Sequence, residues 1–433
     1  MKIADKVSRL FFNKNLWHFQ VGFLFLDLGA RCSQVAIAWW ALRVTHSASV
    51  FATMMAAATC AELLARLLPG SLADRYNKIK VVIACNAVAA TTCALLTCMA
   101  YTQHYESISV SVLMATTSAA IGVRDPIQSS IIPMLVDPQE VSTAFGTKGM
   151  LYSFALLIGP LIASTLLSVV GEANTLLADF LSIVIGSLLV ATVLRTPLQI
   201  GQPVTGVRTG ASGTFLRSFA RLSMLRKVKA ELYLSMFAMC ANFSLFPFFF
   251  VLMPFYVQRQ THRPAWVLGV LDAAFAVGIF VGSGWFVKAA NSWLRRDHTV
   301  AFGFGLMAAN MLTVLAFRSY PALFLAFFAG GLGLMLINVN TSTVRALATP
   351  SSHLNQMTSI VSFLSTAINP IGTFAAGALL ATIGFNATLA VLALISVASG
   401  MTIPFVAEVR RFMRMSNEAL TGAYGATYPD AFR

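Results

Sequence analysis

Apolar runs of about twenty residues recur along this chain from Trp17 to Val406, separated by short polar breaks. A run of that length, coiled into an α-helix, crosses the hydrocarbon core of a bilayer; a barrel strand needs only about ten alternating residues. The pattern predicts spans at 17–42, 48–73, 81–101, 107–128, 143–170, 174–194, 231–257, 265–287, 299–317, 321–344, 357–383 and 386–407. The expected fold class is an all-α membrane protein with twelve transmembrane helices. One polar interruption is long. At about 195–230 it holds Pro197, Pro203, four glycines and seven basic residues. Glycine and proline break helices, and charge keeps a segment out of lipid. It therefore separates six-helix bundles at 1–194 and 231–407, with a central cytoplasmic loop at 195–230 and a cytoplasmic tail at 408–433.

The halves echo one another. Ile158-Gly159-Pro160-Leu161 followed by Gly171 matches Ile368-Asn369-Pro370-Ile371 followed by Gly384, with the prolines 210 positions apart. Gly70 ahead of Arg75, Lys78 and Lys80 matches Gly282 ahead of Lys288, Arg295 and Arg296, with the glycines 212 apart. Two landmarks at nearly one offset point to a duplicated six-helix unit.

Composition agrees. The 433 residues are 57% hydrophobic and only 11% charged, and mean hydropathy is +0.75. A soluble domain needs more surface charge. The net charge of +14 raises nucleic-acid binding, but topology accounts for it. With the N-terminus inside, cytoplasmic segments carry 22 of the 30 Lys and Arg residues and outer loops carry four: Arg43, Arg259, Arg263 and Arg318. That asymmetry sets orientation and leaves no excess for nucleic acid. Residues 1–14 are basic and amphipathic, and no small-residue cleavage site follows the first apolar run; it is read as the first span rather than a leader. Six cysteines lie inside apolar spans without CxxC spacing and read as small hydrophobes.

The loop Gly70-Ser71-Leu72-Ala73-Asp74-Arg75-Tyr76-Asn77-Lys78-Ile79-Lys80 is short, charged and regularly spaced. It resembles the loop 2–3 signature of the major facilitator superfamily, G-x-L-a-D-r-x-G-r/k-r/k. The resemblance implies a gate: Asp74 caps span 11 near Gln356, where a helix dipole favours negative charge, and Arg75 pairs with Asp125 beside Arg124 at the inner end of span 4. Asn77 stands where the superfamily has glycine, and asparagine tolerates the left-handed conformation. In span 5, Ala155 to Ser164 around Gly159-Pro160 resembles the superfamily's antiporter signature, which is associated with exporters. Small residues there permit close helix approach, and proline kinks the helix.

Ionisable residues inside spans are functional candidates because burial in lipid is costly. Asp27 and Arg31, and Glu62 and Arg66, each lie four apart on one helix face, where mutual neutralisation is the competing reading. Asp179 and Asp272 have no oppositely charged sequence neighbour and sit about two turns from the outer ends of their spans, within reach of water. Lys148, near the start of span 5, reads as interfacial. Gln34, Asn242, Asn310, Asn338, Asn340 and Asn369 are candidates for a polar cavity lining or for helix-to-helix hydrogen bonds. Arg345 reads as a topological charge closing span 10. The run Phe243 to Phe250 around Pro247 suggests a broken helix with a bulky wall, or else lipid-facing rings.

No GxxxxGK[ST] loop, metal-spaced cluster or GxSxG elbow is found. Neither an enzyme nor a bound cofactor is expected. Leu28 to Trp40, Arg124 to Val136 and Gly159 to Ser182 resemble the drug–proton antiporter branch with macrolide-efflux proteins and enterobactin-type siderophore exporters. That branch often has an acid after the span 1 glycine; here Ala30 follows Gly29, and Asp27 lies a turn earlier. The resemblance implies a monomeric exporter in the bacterial inner membrane with both termini cytoplasmic. It would move a small molecule, siderophore or drug, against protons by alternating access. The alternative is a lysophospholipid flippase, to which the same region also shows a looser resemblance.

Overall fold

Helix starts follow local chemistry. Asn13 caps α1 (Lys14–Thr45), its side chain accepting from the Leu16 amide at 3.1 Å and donating to the Leu135 carbonyl at 2.8 Å. Ser47 caps α2 (Ala48–Ala65), and Asn77 caps α3 (Lys78–Tyr101) by accepting from the Ile79 amide at 3.0 Å. Such side chains satisfy amides that the first helical turn leaves unpaired. Asn77 has φ −60° and ψ 120°, so its role is a helix cap in extended backbone and not the left-handed turn expected for it. α4 (Ser107–Leu135) runs through Pro126 and Pro133, two turns past the expected stop at 128.

The computed structural model describes residues 13–66, 76–137, 140–195, 224–350 and 352–432. Among them the regular structure is helical throughout. α5 (Val141–Thr192) would measure about 78 Å if straight, more than twice the hydrocarbon thickness. It turns back at Gly171, with φ 79° and ψ 178°. α11 (Leu354–Thr402) does the same at Gly384, with φ 78° and ψ 177°. The glycines are 213 positions apart, and only glycine adopts that backbone readily. Between them lie α6 (Lys229–Pro247), α7 (Trp266–Val281), α8 (Val287–Trp293), α9 (Arg296–Ala316) and α10 (Tyr320–Ala348). A π-helical turn at Gly282–Phe286 joins α7 to α8, and others at Phe248–Leu252 and Tyr256–Gln260 extend α6. Counting both arms of α5 and of α11, and α7 with α8 as one crossing, the helices among the described residues make twelve spans.

An alanine Cβ at Gly171 or Gly384 would meet nothing within 4 Å, so backbone strain alone sets its cost. Gly171→Ala and Gly384→Ala are each expected to destabilise by about 1–3 kcal/mol. Thermal unfolding in detergent checks this, and the two costs should add.

The chain forms two units: Met1–Thr214 with Val257–Gly269, and Phe215–Tyr256 with Val270–Arg433. In the first, α1 packs on α5, α2 on α4, and α3 on α4 and α5. In the second, α6 packs on α11, α9 on α10 and α11, and α7 meets α10 where Gly278 and Gly331 bring the backbones together. The same packing scheme appears in both units, as the sequence echo implies.

The segment expected as a plain tail is folded. α12 (Ala407–Met413), α13 (Asn417–Leu420) and α14 (Ala423–Thr427) bury Phe412, Met413, Leu420 and Tyr424 against Leu225, Val228 and Leu234. Tyr428 donates to Glu408 at 2.8 Å. Burial and that carboxylate push the Tyr428 hydroxyl up to about 12, so it remains a donor at neutral pH.

Candidate transport cavity

Helical spacing places polar groups of the first unit on common faces. Gln20 and Asp27 lie seven apart on α1; Asp125, Gln128 and Ser129 lie within one turn of α4; Lys148 and Tyr152 lie four apart on α5. Side chains at such intervals share a face. These faces meet around a cavity of about 440 Å³, which Phe23 of α1 and Arg66 at the end of α2 also line.

Charges around this cavity sort into paired and unpaired. Arg66 binds Glu62 at 2.6 Å, so that pair neutralises itself as one reading held. Arg124 is buried, stacks over the Phe23 ring at 5.4 Å, and donates to Asp125 at 3.1 Å. Asp125 thus has its own neighbour as partner; Gly70, Asp74 and Arg75, the rest of the expected gate, lie outside the described residues. Lys78 is the first residue of α3 and half-buried. Asp27 has no ion-pair or hydrogen-bond partner among the described residues: Arg31 donates to Gln34 at 3.2 Å instead. Asp27 and Arg31 thus form no direct ion pair, although they share a helix face. The interfacial reading of Lys148 is corrected: it lines the cavity and donates to the Ser129 hydroxyl at 2.8 Å.

Arg31 leaves the cavity because it packs on Gly159, where a Cβ would sit 2.7 Å from its Cγ. Pro160 and Ser164, a turn further along α5, face Gly269. A Cβ at Gly269 would lie 2.7 Å from the Pro160 carbonyl and 2.9 Å from Ser164 Cβ. The small-residue stretch thus allows close approach on two sides. Gly269→Val is expected to abolish transport while leaving membrane insertion intact, because a backbone carbonyl cannot yield as a side chain can. Transport assays beside membrane-fraction blots check it.

Asp179 lies outside the cavity. It is 4% exposed, accepts from the Ser33 hydroxyl and lies 3.3 Å from the Cys93 thiol. Closely packed Gly29 leaves no room for a Cβ beside it. Access to water, expected from its sequence position, is corrected by this packing. In the second unit, Asp272 is half-buried, Asn242 donates to the Ala238 carbonyl at 3.2 Å within its own helix, and Asn338 is exposed. Asn340 accepts from Asn291 at 2.8 Å, a helix-to-helix bond. Phe248 is buried at a π-helical turn against Phe249 and Phe327, so the run does not simply face lipid. Gln20, Ser129 and Tyr152 went unremarked as site residues in the sequence, and Gln128 entered only through the resemblance of its stretch. Their signal was the shared helical spacing with Asp27, Asp125 and Lys148.

Residues 21–295 match the Major Facilitator Superfamily. That is more than half of the sequence, and it includes every residue lining the cavity except Gln20. The chain belongs to the major facilitator superfamily. Macrolide efflux protein A of Streptococcus pyogenes is 25% identical over 221 residues, 49% of this chain and 51% of the relative. The Staphyloferrin A transporter of Staphylococcus aureus is 26% identical over 174 residues, 40% of this chain and 44% of the relative. The chain thus spans about half the length of these curated relatives. The nucleoside transporter NupG superposes with a TM-score of 0.71 at 11% identity, over 90% of this chain and 98% of NupG. A bacterial homologue of the iron transporter ferroportin gives 0.69 at 14%, over 93% and 99%. At such identities these two share the fold alone. This major facilitator protein is a multi-pass membrane protein.

Proposed function

We propose that this transporter exports a small organic molecule, of the siderophore or drug class, from the cytoplasm in exchange for protons by alternating access. In this reading it works as a monomer in the bacterial inner membrane with both termini cytoplasmic. The observation that carries the reading is Asp27. Its carboxyl lines the cavity with no ion pair among the described residues, while the neighbouring acids Glu62 and Asp125 are each held by an arginine. A carboxyl so placed can take either a proton or a basic group of the cargo, and that competition is what antiport requires. The similarity to macrolide-efflux and staphyloferrin transporters supports the direction and the size class of cargo. The basic loops on one side support the orientation.

Uptake into inverted membrane vesicles tests this, with fluorescent drugs and with citrate- or catechol-type siderophores, with and without an acidic interior. Accumulation of one class only under the gradient is the expected result. No accumulation of any of them, with labelled lysophospholipid crossing instead, replaces the exporter by a flippase.

A further inference from the structure

Two titratable side chains of the cavity have no ion-pair partner within 4.0 Å among the described residues: Asp27 and Lys148. Lys148 is the informative one. It is half-buried on the first turns of α5, and its ammonium donates to a neutral hydroxyl, Ser129, at 2.8 Å. The charged groups around it are Asp27 from α1 and Arg124 and Asp125 from α4, and of these Asp125 is already bonded to Arg124 at 3.1 Å. An ammonium partly removed from water is costly unless an anion meets it. The Ser129 hydroxyl beside it donates to the Asp125 carbonyl at 3.5 Å, a long bond that an incoming anion can replace, so the pair can turn two donors to one group. Gln20 lines the same cavity from α1. It is 3% exposed and its Nε2 donates to the Ala144 carbonyl at 2.9 Å. Its Oε1 is buried with no partner among the described residues. A buried acceptor of that kind calls for a donor.

We propose that Lys148 and Ser129 form an anion subsite of the transport cavity, and that the cargo is a hydroxycarboxylate whose carboxylate meets Lys148 while a hydroxyl faces Gln20. This rests on reading the cavity as the transport site. It also moves the anion handle from Arg31, the cationic residue that the spacing on span 1 brings forward, to a lysine on α5. Arg31 is occupied by Gln34 and Gly159.

The test is binding of citrate to the purified full-length transporter in detergent, by calorimetry, with trimethyl citrate and lysophosphatidylglycerol as comparison probes. The wild type is expected to bind citrate and to ignore the ester. Lys148→Gln is expected to weaken citrate at least tenfold, Ser129→Ala several-fold, and Lys148→Arg to keep most of the affinity. Equal binding of citrate and its ester, or citrate binding unchanged in Lys148→Gln, overturns the subsite. Lysophosphatidylglycerol binding that depends on Lys148, without citrate binding, also overturns it, because the anion is then a lipid headgroup. Loss of Lys148→Gln to misfolding leaves Ser129→Ala and Lys148→Arg to decide. Detergent binding needs no gradient, so the two readings fail separately. Lys148-dependent citrate binding without gradient-driven vesicle uptake sinks the exporter and keeps the subsite. Gradient-driven uptake indifferent to Lys148 does the reverse.

Discussion

Arg345→Met is expected to destabilise the second unit by about 3–5 kcal/mol, seen as a clear fall in the unfolding temperature of the detergent-purified transporter. Arg345 lies in the last turn of α10 and Glu231 in the first turn of α6. Each end of a helix favours the charge it carries here. Arg345 Nε meets Glu231 Oε1 at 2.5 Å, and the Tyr424 hydroxyl donates to Oε2 at 3.1 Å. Glu231 is fully buried. Removing its cation strands a carboxylate inside the fold, and breaking one side of a buried pair costs in the range given. Two controls separate this from simple loss of packing. Glu231→Leu with Arg345→Leu removes both charges and should cost much less than Arg345→Met alone. Tyr424→Phe removes one hydrogen bond to a charged group and should cost about 1.5–3 kcal/mol. If the double variant is as unstable as the single one, burial of an unpaired charge is not the cause.

That network also shows what a linear sequence conceals. Arg345 reads as one more charge on the positive side, and by count it is. Its partner lies 114 positions away, and the tyrosine completing the site lies in a segment that reads as a tail. A second bond of the same kind joins Asp297, in the first turn of α9, to Arg414 of the tail at 2.7 Å. Acids at helix starts and bases at helix ends were visible as positions. That they meet, and that they hold α12 to α14 against the bundle, follows from packing.

The crossings themselves were legible because membrane thickness fixes their length. So was the duplication, whose landmarks Gly171 and Gly384 share one backbone conformation to within a degree. Helix ends were less legible. Span 4 was expected to end at 128, yet α4 continues through Pro133 to Leu135, as spanning helices tolerate. The cavity was legible in part. Asp27, Arg66 and Asp125 line it, whereas Arg31, Gln34 and Asp179 do not. Spacing groups residues onto a face, but only the neighbouring helices decide what that face meets. Arg31 was drawn off by Gly159, a residue 128 positions away, chosen by its lack of a side chain. Lys148 gave the opposite error: a basic residue near a helix end suggests the interface, and the turn of α5 points it inward.

Asp27→Asn is expected to abolish gradient-driven accumulation while leaving cargo able to cross down its own gradient. A pH difference of one unit is worth about 1.4 kcal/mol per proton, enough to concentrate cargo about tenfold in a one-for-one exchange. Without a carboxyl at this position the one acid left lining the cavity among the described residues is Asp125, which Arg124 holds, and the ratio should fall to about one. Three features make the substitution informative. Asparagine matches aspartate in size. Asp27 has no hydrogen-bond partner among the described residues, so the fold loses no contact. The other acids near the cavity are held by Arg66 and Arg124, so no neighbouring carboxylate is free to substitute. Counterflow, in which labelled cargo enters vesicles preloaded with unlabelled cargo at equal pH, should persist in Asp27→Asn. Accumulation at wild-type level would place the proton on another acid, and Asp179→Asn would be the next variant to measure. Loss of counterflow together with accumulation would mean that Asp27 holds the cargo itself. A bell-shaped dependence of wild-type uptake on cargo charge would then replace proton competition as the basis of coupling.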